Sequence, residues 1–204
     1  MLYIGVDLGT SAVKLLLMDE NGNIQKIVSK EYPLYFPKPG WSEQHPEDWY
    51  IKSMEGMKEL TSECDKSQVA GISFGGQMHG LVALDKDDQV IRPAILWNDG
   101  RTGKQTGYLN QVIGRDKLSE YTANIAFAGF TAPKILWMKE NEPEIIRKSQ
   151  RLCCQKIIWL TSFQVRSVQM CRTLQACFLW TLKQMLVKRN ARNLRYHRRQ
   201  LPKL

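Results

Sequence analysis

An α/β domain is predicted for residues 1–144 by three observations. Two apolar runs of strand length flank a short polar turn at the N-terminus, an Asn-Gly pair leads into a third run, and segments of helical length alternate with further strand-like runs downstream.

Taken in order, Leu2-Tyr-Ile-Gly-Val-Asp-Leu-Gly9 is an apolar run that ends in glycine, and Ala12-Val-Lys-Leu-Leu-Leu-Met18 is a second one. Glu20-Asn-Gly-Asn23 carries the strongest short hairpin signal and leads into Ile24-Gln-Lys-Ile-Val28, so three consecutive antiparallel strands open the domain. His45-Pro-Glu-Asp-Trp49 then starts a helix, with proline in the first turn and acids near the positive end of the helix dipole. The helix is expected to reach about Cys64, with Trp49, Ile51, Met54 and Met57 as candidate buried residues. Val69-Ala-Gly-Ile-Ser-Phe74 reads as a buried strand. Leu81-Val-Ala-Leu84 reads as another, parted from Val90 by the Asp85-Lys-Asp-Asp88 turn. Thr102–Ile113 and Ala132–Glu140 have helical patterns, and Pro33, Pro37 and Pro39 mark a rigid surface loop.

A chain of 204 residues can bury a sizeable core, and its length does not exclude an enzyme. Asp7 interrupts the first apolar run, no basic segment precedes it, and no run approaches the roughly 18 apolar residues of a membrane span, so a cytoplasmic protein is expected. The formal charge of +9 is unevenly placed. Residues 1–144 hold 15 Lys and Arg against all 20 Asp and Glu, a net of −5; residues 145–204 hold 14 Lys and Arg and no acid, a net of +14. All 14 glycines precede residue 145, while four of the five cysteines follow it. Two compositions therefore share one chain, and the basic one is confined to the tail.

Three loops carry groups suited to chemistry. Asp7-Leu-Gly-Thr-Ser11 lies between two strands and brings a carboxylate, two hydroxyls and backbone N–H groups to one sheet end, which suits phosphate and hydrated Mg²⁺. Gly9 lets the backbone turn and approach a ligand; the same pattern also fits an ordinary capped hairpin turn. Gly75-Gly-Gln-Met-His-Gly80 follows a predicted strand. A lone loop histidine is commonly structural, but glycines on both sides expose Gln77 and His79 at a strand end, where α/β folds place ligands. Trp97-Asn-Asp-Gly-Arg101 groups an aromatic face with amide, carboxylate and guanidinium; it fits a polyhydroxylated ligand and equally a helix cap beside a core tryptophan.

Five ordered motifs make the chain resemble the N-terminal half of FGGY carbohydrate kinases. They are Ile4-Gly-Val-Asp-Leu-Gly-Thr-Ser11, Pro39-Gly-Trp-Ser-Glu-Gln-His-Pro46, Gly75-Gly-Gln-Met-His-Gly80, Leu96-Trp-Asn-Asp-Gly-Arg101 and Gly129-Phe-Thr-Ala-Pro-Lys134. Gln-Met-His-Gly is most similar to xylulokinases. The resemblance implies an actin-like, ribonuclease-H-like domain with a mixed sheet, paired across a cleft with a second such domain. It further implies ATP and Mg²⁺ as cofactors, a ketopentose as substrate, and compatibility with a homodimer in a full-length protein. By the same resemblance Asp7, Gly9, Thr10 and Ser11 face the phosphates, Asp7 faces the metal, and Gln77, Met78, His79 and Asp99 face the sugar. The general-base aspartate is then expected beyond residue 204, so no catalytic residue is assigned within the chain, and these 204 residues are expected to be inactive alone. Ribulose, gluconate or glycerol kinases, and a non-catalytic actin-like module, are the alternatives.

The resemblance stops near Glu144, where a further helix and a Leu-Pro-Lys-Asp-Tyr-Leu segment are expected and not found in sequence. Codons formed one base out of register allow Cys153–Trp159 to encode Met-Leu-Pro-Lys-Asp-Tyr-Leu, and Gln169–Phe178 to encode Asp-Val-Ser-Asp-Ala-Ser-Gly-Met-Leu. A second offset fits Asn190–His197, and Gln200–Leu204 returns to frame. Residues 145–204 are thus expected to be an out-of-frame basic tail with no domain of its own. Adjacent Cys153 and Cys154 lack zinc-ligand spacing, and neither nucleic acid nor membrane is expected as a partner.

Overall fold

The computed structural model describes residues 1–155. The elements run β1 (Leu2–Leu8), β2 (Ala12–Asp19), β3 (Ile24–Glu31), β4 (Glu43–Gln44) and α1 (Pro46–Leu60), then a 3₁₀ turn at Lys66–Gln68 and β5 (Val69–Gly76). Next come β6 (Val82–Leu84), β7 (Ala94–Ile95), α2 (Gly103–Tyr108), a π-helical turn at Leu109–Gly114, and α3 (Arg115–Thr122). The last are α4 (Thr131–Asn141), α5 (Pro143–Lys148) and β8 (Arg151–Cys153).

The first three strands form the expected antiparallel meander, and β5 joins the other side of β1 in parallel, giving the order β3-β2-β1-β5. Alternation dictates the packing: Ile4, Val6 and Leu8 of β1 and Val13, Leu15 and Leu17 of β2 are buried at every second position. The β2–β3 hairpin turns where the Asn-Gly pair predicted. Gly22 takes φ +84, and the Asp19 carboxylate accepts N–H bonds from Asn21 and Asn23.

Helix α1 covers β2 and β3. Its buried face is Trp49, Ser53, Gly56 and Leu60, a spacing of four, three and four residues that traces one stripe of a helix. Ile51 and Met54, expected inside, are exposed, because they fall off that stripe. Gly56 leaves room for Leu15: a Cβ would lie 2.5 Å from Leu15 Cδ1, so alanine there would require the buried leucine tip to turn aside. The helix ends at Leu60 rather than Cys64, since the Thr61 hydroxyl donates back to the Met57 carbonyl and the Ser62 hydroxyl to that of Glu59.

Folded structure continues past the boundary expected at Glu144. The further helix read as missing is present as α5, started by Pro143 at a position where its absent N–H costs nothing. β8 then pairs antiparallel with β6, matching Val82 with Cys153 and Leu84 with Arg151, and Cys153, Cys154 and Gln155 are buried. Basic composition concealed this because Arg147, Lys148 and Arg151 keep their charges at the surface or in ion pairs while Ile145, Ile146 and Leu152 pack on Leu81, Ala83, Ile95, Trp137 and Met138. The expectations for the remainder of the tail lie outside the described residues. Among the described residues no helix is long and apolar enough to cross a membrane.

Replacing Gly56 by alanine tests the α1 packing. Alanine favours a helix by about 1 kcal/mol, but the crowded methyl should outweigh that gain and lower stability by about 1–3 kcal/mol. Urea unfolding measures the net effect; a rise in the midpoint would show that α1 stands further from β2 than described here.

Candidate active site

Parallel pairing sets the Asp7 end of β1 beside Gly75 at the end of β5, so the turn after β1 and the loop after β5 leave one edge of the sheet together. Asp7 is exposed there. A Cβ on Gly75 would sit 3.1 Å from Asp7 Oδ1, so the glycine keeps the carboxylate uncrowded.

The Gly9–Ser11 turn is gripped from behind. The Tyr32 hydroxyl donates to the Gly9 carbonyl, Gln44 Nε2 donates to the Thr10 carbonyl at 2.7 Å, and the Tyr32 N–H donates to the Ser11 carbonyl at 3.1 Å. In a planar trans peptide the next N–H points opposite to the carbonyl, and no peptide here is cis. The N–H groups of Thr10, Ser11 and Ala12 are therefore directed away from the Tyr32 and Gln44 groups that hold the preceding carbonyls. The Gly9 N–H instead closes the turn on the Ala12 carbonyl at 3.0 Å. Burial, and then the nearby Asp7 charge, push the Tyr32 phenol well above its ordinary value, so it stays a neutral donor.

Gln44 is fully buried and all three of its amide bonds are used: Nε2 reaches Thr10 and Pro33 carbonyls, and Oε1 accepts the Trp49 indole N–H at 2.9 Å. The Thr10 hydroxyl accepts from Gln77 Nε2 at 2.7 Å and from Trp97 Nε1 at 3.1 Å, leaving its proton to donate. Three loops thus meet on one oxygen. Met78 lies on the open side with 46% of its surface exposed, and His79 is half-buried against Phe130.

Asp99 does not join them at the surface. It is 2% exposed, with Oδ2 accepting from the Ser42 N–H and Arg101 Nη2, and Oδ1 from the Arg101 N–H and Nε. Its carboxylate holds its own loop against the Pro39–Pro46 segment. Tyr32, Gln44 and Trp97 were absent from the expected site residues; the sequence carried Gln44 and Trp97 inside its motifs but gave no sign of what they bond.

A family model described as "FGGY family of carbohydrate kinases, N-terminal domain" matches residues 2–166. The chain belongs to the FGGY family of carbohydrate kinases. The match runs beyond Glu144, as the folding of α5 and β8 requires. A xylulose kinase of Bacillus subtilis is 50% identical over 148 residues, covering 72% of this chain and 30% of that protein. A crystal structure titled as a xyloylose kinase from Brucella ovis has a TM-score of 0.73 at 39% identity, covering 78% of this chain and 33% of that one. A gluconate kinase structure from Lactobacillus acidophilus reaches a TM-score of 0.86 at 25% identity, covering 99% and 41%. The fold is accordingly that of an actin-like, ribonuclease-H-like ATPase domain, in part. The chain spans about a third of the length of the curated relatives it matches.

Beneath these loops lies a buried ionic network. Glu43 Oε1 accepts from Arg92 Nη2 and from Arg101 Nη2 at 2.7 Å, and Arg92 Nη1 reaches Glu142 at 2.6 Å. The Arg101 guanidinium also lies 3.7 Å over the Trp41 ring, whose edge meets Trp137. Removing one partner of such a cluster strands the other charges. Asp99→Ala should therefore cost about 3–5 kcal/mol, whereas Met78→Ala at the open rim should stay within about 0.5 kcal/mol. Chemical denaturation of both variants distinguishes them; equal losses would contradict the assignment of Asp99 to the interior.

Proposed function

We propose that this chain is the N-terminal part of an ATP-dependent sugar kinase that converts D-xylulose to D-xylulose 5-phosphate in the cytoplasm. The observation that carries the proposal is the adjacency of Asp7 and Gly75, which sets the carboxylate and hydroxyls of the Asp7–Ser11 turn beside the Gln77–His79 loop. Xylulose kinases at 39–50% identity support the substrate. Gluconate, ribulose or glycerol as the acceptor is the nearest alternative.

In this reading the Thr10, Ser11 and Ala12 N–H groups and the Thr10 and Ser11 hydroxyls bind the phosphates of ATP. Asp7 would hold Mg²⁺ through one carboxylate. The residues fit that ion when it is largely carried by water and phosphate oxygens, and do not fit a dedicated protein cage, since no three His, Cys, Asp or Glu cluster among the described residues. Mg²⁺ would supply charge neutralisation at the phosphates. Met78 and His79 orient the sugar, and the Gln77 amide, tied to Thr10, fixes the distance between sugar loop and phosphate turn. Asp99 acts here as a support rather than a sugar ligand.

Phosphoryl transfer depends on positioning and on a carboxylate that takes the hydroxyl proton. Resemblance puts that carboxylate beyond residue 204. In-line positioning contributes about 7–11 kcal/mol and general-base help about 10²–10⁴-fold, so a polypeptide of these 204 residues alone is expected to bind ligands weakly and not to turn over. ADP release coupled to D-xylulose, D-ribulose, gluconate or glycerol is the test, run on this polypeptide and on a full-length protein carrying it. The full-length protein should prefer D-xylulose and lose activity on Asp7→Ala. Preference for another acceptor would replace the substrate proposed here, and Asp7-dependent turnover by the 204-residue polypeptide would place the base within it.

A further inference from the structure

The fifth sequence motif, Gly129-Phe-Thr-Ala-Pro-Lys134, contributes no group to the Asp7–Ser11 turn, and it opens α4 against His79. His79 has φ +69, a left-handed conformation that costs a residue with a Cβ about 1–3 kcal/mol unless its surroundings enforce it. Among the described residues, one helix start supplies the contacts that hold it. Lys134 is fully buried, and its ammonium donates to the His79 carbonyl at 3.0 Å and to the Gly129 carbonyl. The Thr131 hydroxyl donates to the same His79 carbonyl at 3.1 Å. The Phe130 ring stacks on the imidazole at 4.4 Å with 23° between planes. Gly129 permits the approach, since a Cβ there would clash with the Trp97 carbonyl oxygen.

We propose that Lys134, with Thr131, is the positioning residue for His79, fixing its backbone and presenting a neutral imidazole to a sugar hydroxyl. The proposal rests on the reading that His79 meets the sugar. A neutral imidazole accepts a hydrogen bond at one nitrogen and donates at the other, matching a hydroxyl that does both; an imidazolium only donates. The geometry favours the neutral form. Burial, and then the Lys134 charge, hold the His79 pKa below its ordinary value, and Lys134 of α4 is the charged group that acts on it among the described residues. A buried ammonium bonded to carbonyls is a costly way to fasten a helix, and neutral donors would serve that purpose as well. The charge gains a use when the group beside it must not be protonated.

NMR on the 204-residue chain tests this, following the imidazole signals of its three histidines through a pH titration, with His79 assigned by loss of its signals in His79→Asn. The wild-type His79 midpoint should lie below 6.5, and Lys134→Met should move it up toward 6.5. Thr131→Val keeps the charge, so it should shift the His79 amide and speed its exchange while leaving the midpoint in place. Should Lys134→Met lose its fold, Lys134→Gln gives the same comparison with neutral donors retained. A wild-type midpoint at or above 6.5, or one that neither Lys134 variant raises, overturns the proposal. D-xylulose added to a full-length protein carrying this chain, at a concentration that saturates its turnover, addresses the underlying reading separately. If the sugar leaves the His79 signals unmoved while Lys134→Met raises the midpoint, the positioning stands and the sugar assignment falls.

Discussion

Parallel strands cannot be joined by a tight turn, so pairing β1 with β5 obliges the chain to leave the sheet edge and come back. β2, β3 and α1 form the return path, and their packing over the sheet supplies much of the core. Because β1 and β5 run the same way, the loops that follow them emerge at one edge. The Asp7 turn and the Gln77–His79 loop are neighbours for that reason, and the Gln77–Thr10 bond ties them directly. Shifting the pairing by one residue so that Asp7 faced Phe74 would replace the glycine beside the carboxylate with a ring-bearing residue.

Around that edge the polar groups fall into two layers with different duties. The outer one, formed by Thr10, Gln77, Met78 and Trp97, retains open surface or unused hydrogen-bonding capacity. The inner one, formed by Tyr32, Gln44, Asp99, Arg101 and Lys134, is buried and bonds backbone carbonyls, N–H groups and countercharges. A site that handles charged ligands needs donors that do not reorganise when the ligand arrives, and buried partners achieve this by fixing the backbone that carries them.

Most of the fold was legible in the sequence where a pattern repeats often enough to be read. The three opening strands, the Asn-Gly hairpin, α1, β6 and α4 appeared where alternation or helical spacing placed them, and β5 appeared in place but lies half-buried to exposed at the sheet edge rather than buried. The two-residue strands β4 and β7 have no period to detect, and α3 has too few apolar residues to show a stripe. Ile51 and Met54 were misplaced because hydrophobicity alone was weighed, when the stripe through Trp49 selected a serine and a glycine. At the site, the motifs named the right loops. They did not reveal that Asp99 faces inward, since whether a carboxylate meets solvent or an arginine depends on Arg101 and Ser42, which fold onto it from both sides. The end of the domain was misread because net charge describes side-chain tips, whereas β8 is held by its backbone and by Leu152 and Cys153.

The pairing of β8 with β6 also bears on how the chain folds as it is made. Val82–Leu84 leaves the ribosome long before Arg151–Cys153 does, and at roughly 5–20 residues per second the interval lasts several seconds. Until then β6 lacks this partner along one edge, and the apolar residues that later close over it are still unmade. A nascent chain caught in that interval offers a sticky strand to chaperones and to neighbouring nascent chains, so synthesis speed between β6 and β8 becomes a determinant of yield.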